Sequence, residues 1–368
     1  MIRKNKRIRL GRPAETAAAL FGAAVVAVVL AAGLGTSLPA AADETTDEIE
    51  TCLGCHSDQS ATKDIAGGKF SIFVDKAKLE ASVHGLNLKC TDCHPGYGEI
   101  PHPERTAKSA REFQLTFRDA CKKCHFDNYT KAFDGVHFKA HGKGNLNAPL
   151  CADCHGAHDV ARTSEPRTRI SATCARCHAS QAEIFAKSVH GRAHAKAADP
   201  DVPVCTDCHR SHDIASPHSA AWRVASHEIC AKCHTDAKLM KKYGISTHVV
   251  DTYLSDFHGM SAALYRQQKG PKGVTAVCAD CHGAHNITKT DEAGSQVLKA
   301  NLVKTCRKCH KDATDNFPAA WLSHYQPSLQ KAPLVYAVGI FYKVFIPFII
   351  GGLILQVLLH LWRVVVNR

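Results

Sequence analysis

Cys151-Ala152-Asp153-Cys154-His155-Gly156-Ala157-His158 sets the terms for the whole chain. Its pentapeptide, C-x-x-C-H, recurs at Cys52, Cys55, His56; Cys90, Cys93, His94; Cys121, Cys124, His125; Cys174, Cys177, His178; Cys205, Cys208, His209; Cys230, Cys233, His234; Cys278, Cys281, His282; and Cys306, Cys309, His310. Nine copies use all 18 cysteines and leave none over. Zinc ribbons also carry C-x-x-C pairs, but they need a matching second pair and no histidine directly after the second cysteine. Disulfides would leave the nine histidines unexplained. Covalent attachment of haem explains both residue types: two thiols reach the two vinyl groups of one porphyrin, and the adjacent histidine becomes the proximal ligand of its iron.

The sixth ligand is expected to be histidine, because only Met240 and Met260 lie between the two ends of the chain. After the odd-numbered motifs come Ser-Val-His84-Gly, Lys-Ala-His141-Gly, Ser-Val-His190-Gly, Phe-His258-Gly and Leu-Ser-His324. Three even motifs are followed, three residues beyond the proximal histidine, by His158, His212 and His285; the second has Tyr97 there and His102 further on. These nine, His84, His102, His141, His158, His190, His212, His258, His285 and His324, are the expected distal ligands, with His137 competing for the place of His141. A histidine so soon after the proximal one cannot reach the far face of the same porphyrin, so it is expected to serve a neighbouring haem. Iron closed on both sides by imidazole has no position for substrate, and two imidazoles lower its potential relative to a His/Met pair.

The motifs alternate in kind. The second, fourth, sixth and eighth carry Asp92, Asp153, Asp207 and Asp280 before the second cysteine, where four of the other five carry Lys or Arg. A two-haem unit repeated four times, plus a half unit, gives this pattern.

The chain ends read differently. Arg3, Lys4, Lys6, Arg7, Arg9 and Arg12 precede an apolar stretch from Ala17 to Leu34 and an A-x-A site ending at Ala42, so residues 1–42 are read as a secretory signal peptide. Near the other end, Val344 to Trp362 is apolar over the length a bilayer core requires, and Arg363 and Arg368 follow it. Residues 333–368 are therefore read as one transmembrane helix with a short cytoplasmic tail, and residues 43–332 as a periplasmic nonahaem domain. Taken over all 368 residues the net charge is +12, but the leader holds six of the basic residues, and nine haems add 18 propionates. The basic balance is thus assigned to propionates, and a nucleic-acid partner is excluded.

About 32 residues per haem is too few for a conventional core. The expected fold is mostly irregular with short α-helices around a covalent haem array, plus the C-terminal transmembrane helix. Helices are expected near Glu104 to Arg118 and Ser180 to Val189, and loops near Pro200 to Pro203 and Gly270 to Gly273.

From Cys52 to His324 the tandem C-x-x-C-H and Ser-x-His-Gly elements resemble the multihaem cytochromes c, particularly the low-potential members whose irons carry two histidines. Nine haems beside a membrane segment resemble the Cbc-type inner-membrane cytochromes of metal-respiring bacteria, in which a nonahaem domain is joined to a b-type quinol-oxidising part. Only one helix follows here, so the resemblance implies a separate b-type cytochrome or other quinone-reactive membrane subunit. The NapC/NirT type is a weaker match, because its anchor is N-terminal. The function expected is that of an electron carrier rather than an enzyme. Held in the bacterial inner membrane with nine covalent haem c groups in the periplasm, it would link the quinone pool to periplasmic redox proteins in anaerobic respiration. The alternative is a multihaem reductase of a nitrogen or sulfur oxyanion with one open haem. His360, in the tail helix, is a candidate ligand for a b-type haem shared with the partner.

Overall fold

A computed structural model describes residues 41–104, 106–162, 165–197, 199–268, 275–321 and 324–367. The signal peptide lies outside these except for its last two residues, and the loop expected at Gly270 to Gly273 lies outside them altogether. The described chain is helical and irregular, with one two-stranded antiparallel hairpin, Thr62–Ile65 against Gly68–Ser71.

Between the first helix, Ala41–His56, and the last, no helix among the described residues exceeds ten residues. Local chemistry sets these lengths. Ser109 caps Ala110–Leu115 by accepting the Glu112 N–H, so the helix expected from Glu104 begins six residues later. Ala179–Lys187 stops where Ser188 turns extended. Four of the even motifs form one short helical turn each: Cys90–Cys93, Cys151–His155, Cys205–His209 and Cys278–His282.

Burial is sparse. Thirteen apolar side chains are buried among the described residues, strung from Ile49 to Ala313 rather than gathered. A polypeptide that buries so little of itself needs something else to pack against.

The last helix, Pro333–Val366, has 34 residues, a mean hydropathy of 2.3 over its most apolar window, and none of that window buried. It is long and apolar enough to span a membrane. At 1.5 Å per residue it extends about 51 Å, well beyond a hydrocarbon core of about 30 Å. Lys343 lies within this helix, and Pro347 is accommodated inside it.

Candidate haem-binding sites

Each of the nine proximal histidines faces one other imidazole. His56 stands opposite His102, His94 opposite His158, His125 opposite His84, His155 opposite His212, and His178 opposite His137. His209 stands opposite His285, His234 opposite His190, His282 opposite His324, and His310 opposite His258. Ring centres are separated by 5.8 Å at the closest pair and 6.4 Å at the widest. Metal–imidazole bonds of about 2 Å on either side of one ion put the two ring centres about 6 Å apart. The spacing therefore fits one iron between each pair. Among the described residues no three His, Cys, Asp or Glu side chains converge on a common cation site, so the four-ligand arrangement of structural zinc is not formed. Two opposed imidazoles leave the equatorial positions to a macrocycle, and this donor set fits haem.

The histidines are prepared for this role. Burial holds His155, His158, His209, His234 and His282 below the ordinary imidazole range, and takes His190 down to about 4. They are neutral at pH 7 and keep a lone pair for a metal. In the first pair, His56 Nδ1 lies 2.7 Å from the Ile72 carbonyl oxygen and His102 Nδ1 lies 2.8 Å from that of Glu99. With Nδ1–H donated to the backbone, Nε2 is left for the iron.

Between the competing distal candidates His137 and His141, the structure sets the first against a proximal histidine. His137, not His141, stands opposite His178. The Val136 N–H donates to the Ile214 carbonyl at 2.9 Å, just as Val83 donates to Val160 and Val189 to Ile287. In each case the donor directly precedes one facing histidine, and the acceptor lies two residues after another: His158, His212 or His285. This bond fixes the register of both. Gly135 permits the approach, since a Cβ there would sit 2.6 Å from the His212 carbonyl oxygen. Gly191 is as constrained, with Phe185 O 2.0 Å from a built Cβ, whereas Gly142 meets nothing within 4 Å. The His-Gly at 141 thus copies the sequence signal without its packing. His141 lies one turn further on, its Nε2 buried without a hydrogen-bond partner. Burial, then the Arg118 and Arg111 guanidiniums, holds its pKa down.

The alternation of Asp with Lys or Arg also has a structural cause. Asp153, Asp207 and Asp280 each accept the backbone N–H three residues earlier, at 2.6–2.7 Å, closing the turn that presents the motif. The same carboxylates take an arginine from the helix that leads into the preceding odd motif or from its cap: Arg111, Arg167 and Arg223 respectively. In the first unit Glu48 replaces this lock, accepting both the N–H and the hydroxyl of Thr91 at 2.9 Å. The basic residue of an odd motif points the other way. Lys123 and Lys308 donate to the Asp92 and Asp280 carbonyls at 2.9 and 3.1 Å, and Arg176 donates to that of Asp153.

The Arg111 lock is the best formed. Both guanidinium NH2 groups reach the two Asp153 oxygens at 2.9 Å, while Leu146 and Ala148 carbonyls accept the remaining bonds. Replacing Arg111 with Leu is expected to cost about 1–3 kcal/mol in chemical denaturation, since it strands a half-buried carboxylate. Lys187→Ala, which removes an exposed pair with Glu183, is expected to cost less than about 0.5 kcal/mol. Burial acts to raise the Asp153 pKa, but Arg111 and the Leu150 N–H hold it below the usual value. Its contribution is therefore complete above about pH 4 and lost as pH falls through the lower folded-state value. Arg111→Leu should weaken that acid dependence.

Residues 140–236 match the Cytochrome c3 family. The matched segment holds the fourth to seventh motifs and two complete facing pairs, His155 with His212 and His190 with His234. No curated protein and no solved structure matches the chain. The match supports a multihaem electron-transfer protein with covalently bound c-type haem.

Proposed function

We propose that the protein is a membrane-anchored nonahaem c-type cytochrome that carries electrons between the quinone pool, reached through a b-type or other quinone-reactive membrane subunit, and redox proteins of the periplasm. One observation carries this reading: every proximal histidine of the nine motifs has a second imidazole at a distance suited to one iron. The eighteen cysteines, none of them in a disulfide, would hold the porphyrins by thioether bonds. Haem, when bound, supplies a reversible one-electron couple. The paired histidines hold the iron in one coordination state, so little rearrangement accompanies a change of charge, and they exclude exogenous ligands. A reductase with an open iron would need a proximal histidine whose opposite face is unfilled, and the nine pairs favour the carrier instead. The apolar C-terminal helix supports the anchor; the inner membrane, the orientation and the partner belong to the proposal.

Mass spectrometry of the processed protein should find nine covalent haems, and EPR should find all the ferric irons low-spin. The ring planes divide the sites further. Six pairs lie within 17–31° of parallel, whereas the third, seventh and ninth are crossed by 53–62°. About a third of the signal is thus expected in the large-g form that crossed imidazoles produce. In membranes containing the partner, added quinol should reduce the haems. A haem count well short of nine, or carbon monoxide bound by many of the reduced irons, would refute the proposal.

A further inference from the structure

We infer that the nine haem sites form a single unbranched file whose order in space is the order of the motifs in the chain, with the ninth site at the membrane end and the first at the far terminus. The inference rests on the reading that each histidine pair holds a haem. Two kinds of contact alternate along the file. Within a unit, sites one and two, three and four, five and six, and seven and eight are joined by the locks of Glu48 with Thr91, Arg111 with Asp153, Arg167 with Asp207 and Arg223 with Asp280. Between units the contact runs through the facing histidines. The bond from Val83 to Val160 joins the segments closing sites three and two, and the equivalent bonds from Val136 and Val189 join sites five and four, and seven and six. At the last junction, Trp321 Nε1 lies 3.4 Å from Asp256 Oδ2, joining the segments of His324 and His258, which close sites eight and nine.

These contacts supply all eight junctions that nine sites in a row require. Among the described residues, the hydrogen bonds between two of the pentapeptides, from Lys123, Arg176 and Lys308, each join neighbours in the chain. Polarity follows from the chain itself: the segment just before the membrane helix at Pro333 closes the eighth site through His324 and is joined through Trp321 to the segment closing the ninth, so this end of the file, not the first site, is tethered to the membrane helix. Each step along the file oxidises one ferrous iron and reduces its ferric neighbour by one electron, so the file has one way through.

Iron positions in the full-length holoprotein, by electron microscopy in nanodiscs, test the order directly. Each iron should have as its nearest neighbours the irons of the adjacent motifs; a closer iron from a non-adjacent motif overturns the inference. A histidine pair without a porphyrin would instead defeat the haem reading on which it rests. A second test uses the Cys174→Ala/Cys177→Ala variant, confirmed by mass to hold eight haems. Anchored by its helix in a bilayer tethered to an electrode, it should exchange four electrons quickly, those of sites six to nine, with the other four delayed at least tenfold. The Cys52→Ala/Cys55→Ala variant, also with eight haems, should exchange all eight at the wild-type rate. Equal, undelayed exchange of eight electrons in the first variant overturns the file. If that variant does not fold, the iron positions decide alone.

Discussion

Produced in cells that cannot join haem to cysteine, the region from Ala41 to Ala332 is expected to remain unfolded. Far-UV circular dichroism should show little helix, and limited proteolysis should leave no resistant fragment, whereas the holoprotein resists. The reason lies in how little the polypeptide does for itself. Isolated helices below about 12–15 residues are marginal in water, and beyond Ala41–His56 all the helices in this region are shorter. Among the described residues only thirteen apolar side chains, Phe113, Val204 and Val277 among them, are buried. Binding free energy then becomes folding free energy, as in other small domains organised by a metal group. A protease-resistant apoprotein of native size would contradict this account.

The second large effect concerns one ligand. His137→Ala is expected to keep nine haems but open one iron, so that carbon monoxide binds about one reduced haem in nine and a high-spin signal of the same size appears. His141→Ala should leave all nine irons closed. The two residues lie one turn apart on the same helix, Val136–Gly142, so helix destabilisation alone cannot separate the outcomes. The ring of His137 faces His178 at 6.1 Å, while His141 sits among Arg111 and Arg118. The opposite pattern, with carbon monoxide binding in the His141 variant only, would move the fifth site's ligand one turn along.

How much of this was legible beforehand varies with the range of the interaction. The pentapeptides are local chemistry and declare themselves. The short reach from His155 to His158 already rules out both faces of one porphyrin, and the structure sets His158 against His94 instead. The choice between His137 and His141 was not local. It depends on a backbone bond to Ile214, nearly eighty residues on, and the glycine that marks the site is Gly135 before the histidine rather than Gly142 after it. The alternation of Asp153 with Arg176 was visible as a pattern but had no assignable cause until the carboxylate was seen to close its own turn and bind Arg111, and its carbonyl to accept from Arg176. The final helix was evident from its apolarity, and its start at Pro333 matches the boundary read for the membrane segment.

The exchange of histidines between repeats has a bearing on manufacture. The ring facing His94 arrives with His158, the one facing His155 with His212, the one facing His209 with His285, and the one facing His282 only with His324. On the proposed reading, an even-numbered site would stay open on one face until a later stretch of chain supplied its second imidazole, so a chain cut short between motifs would end in an open site.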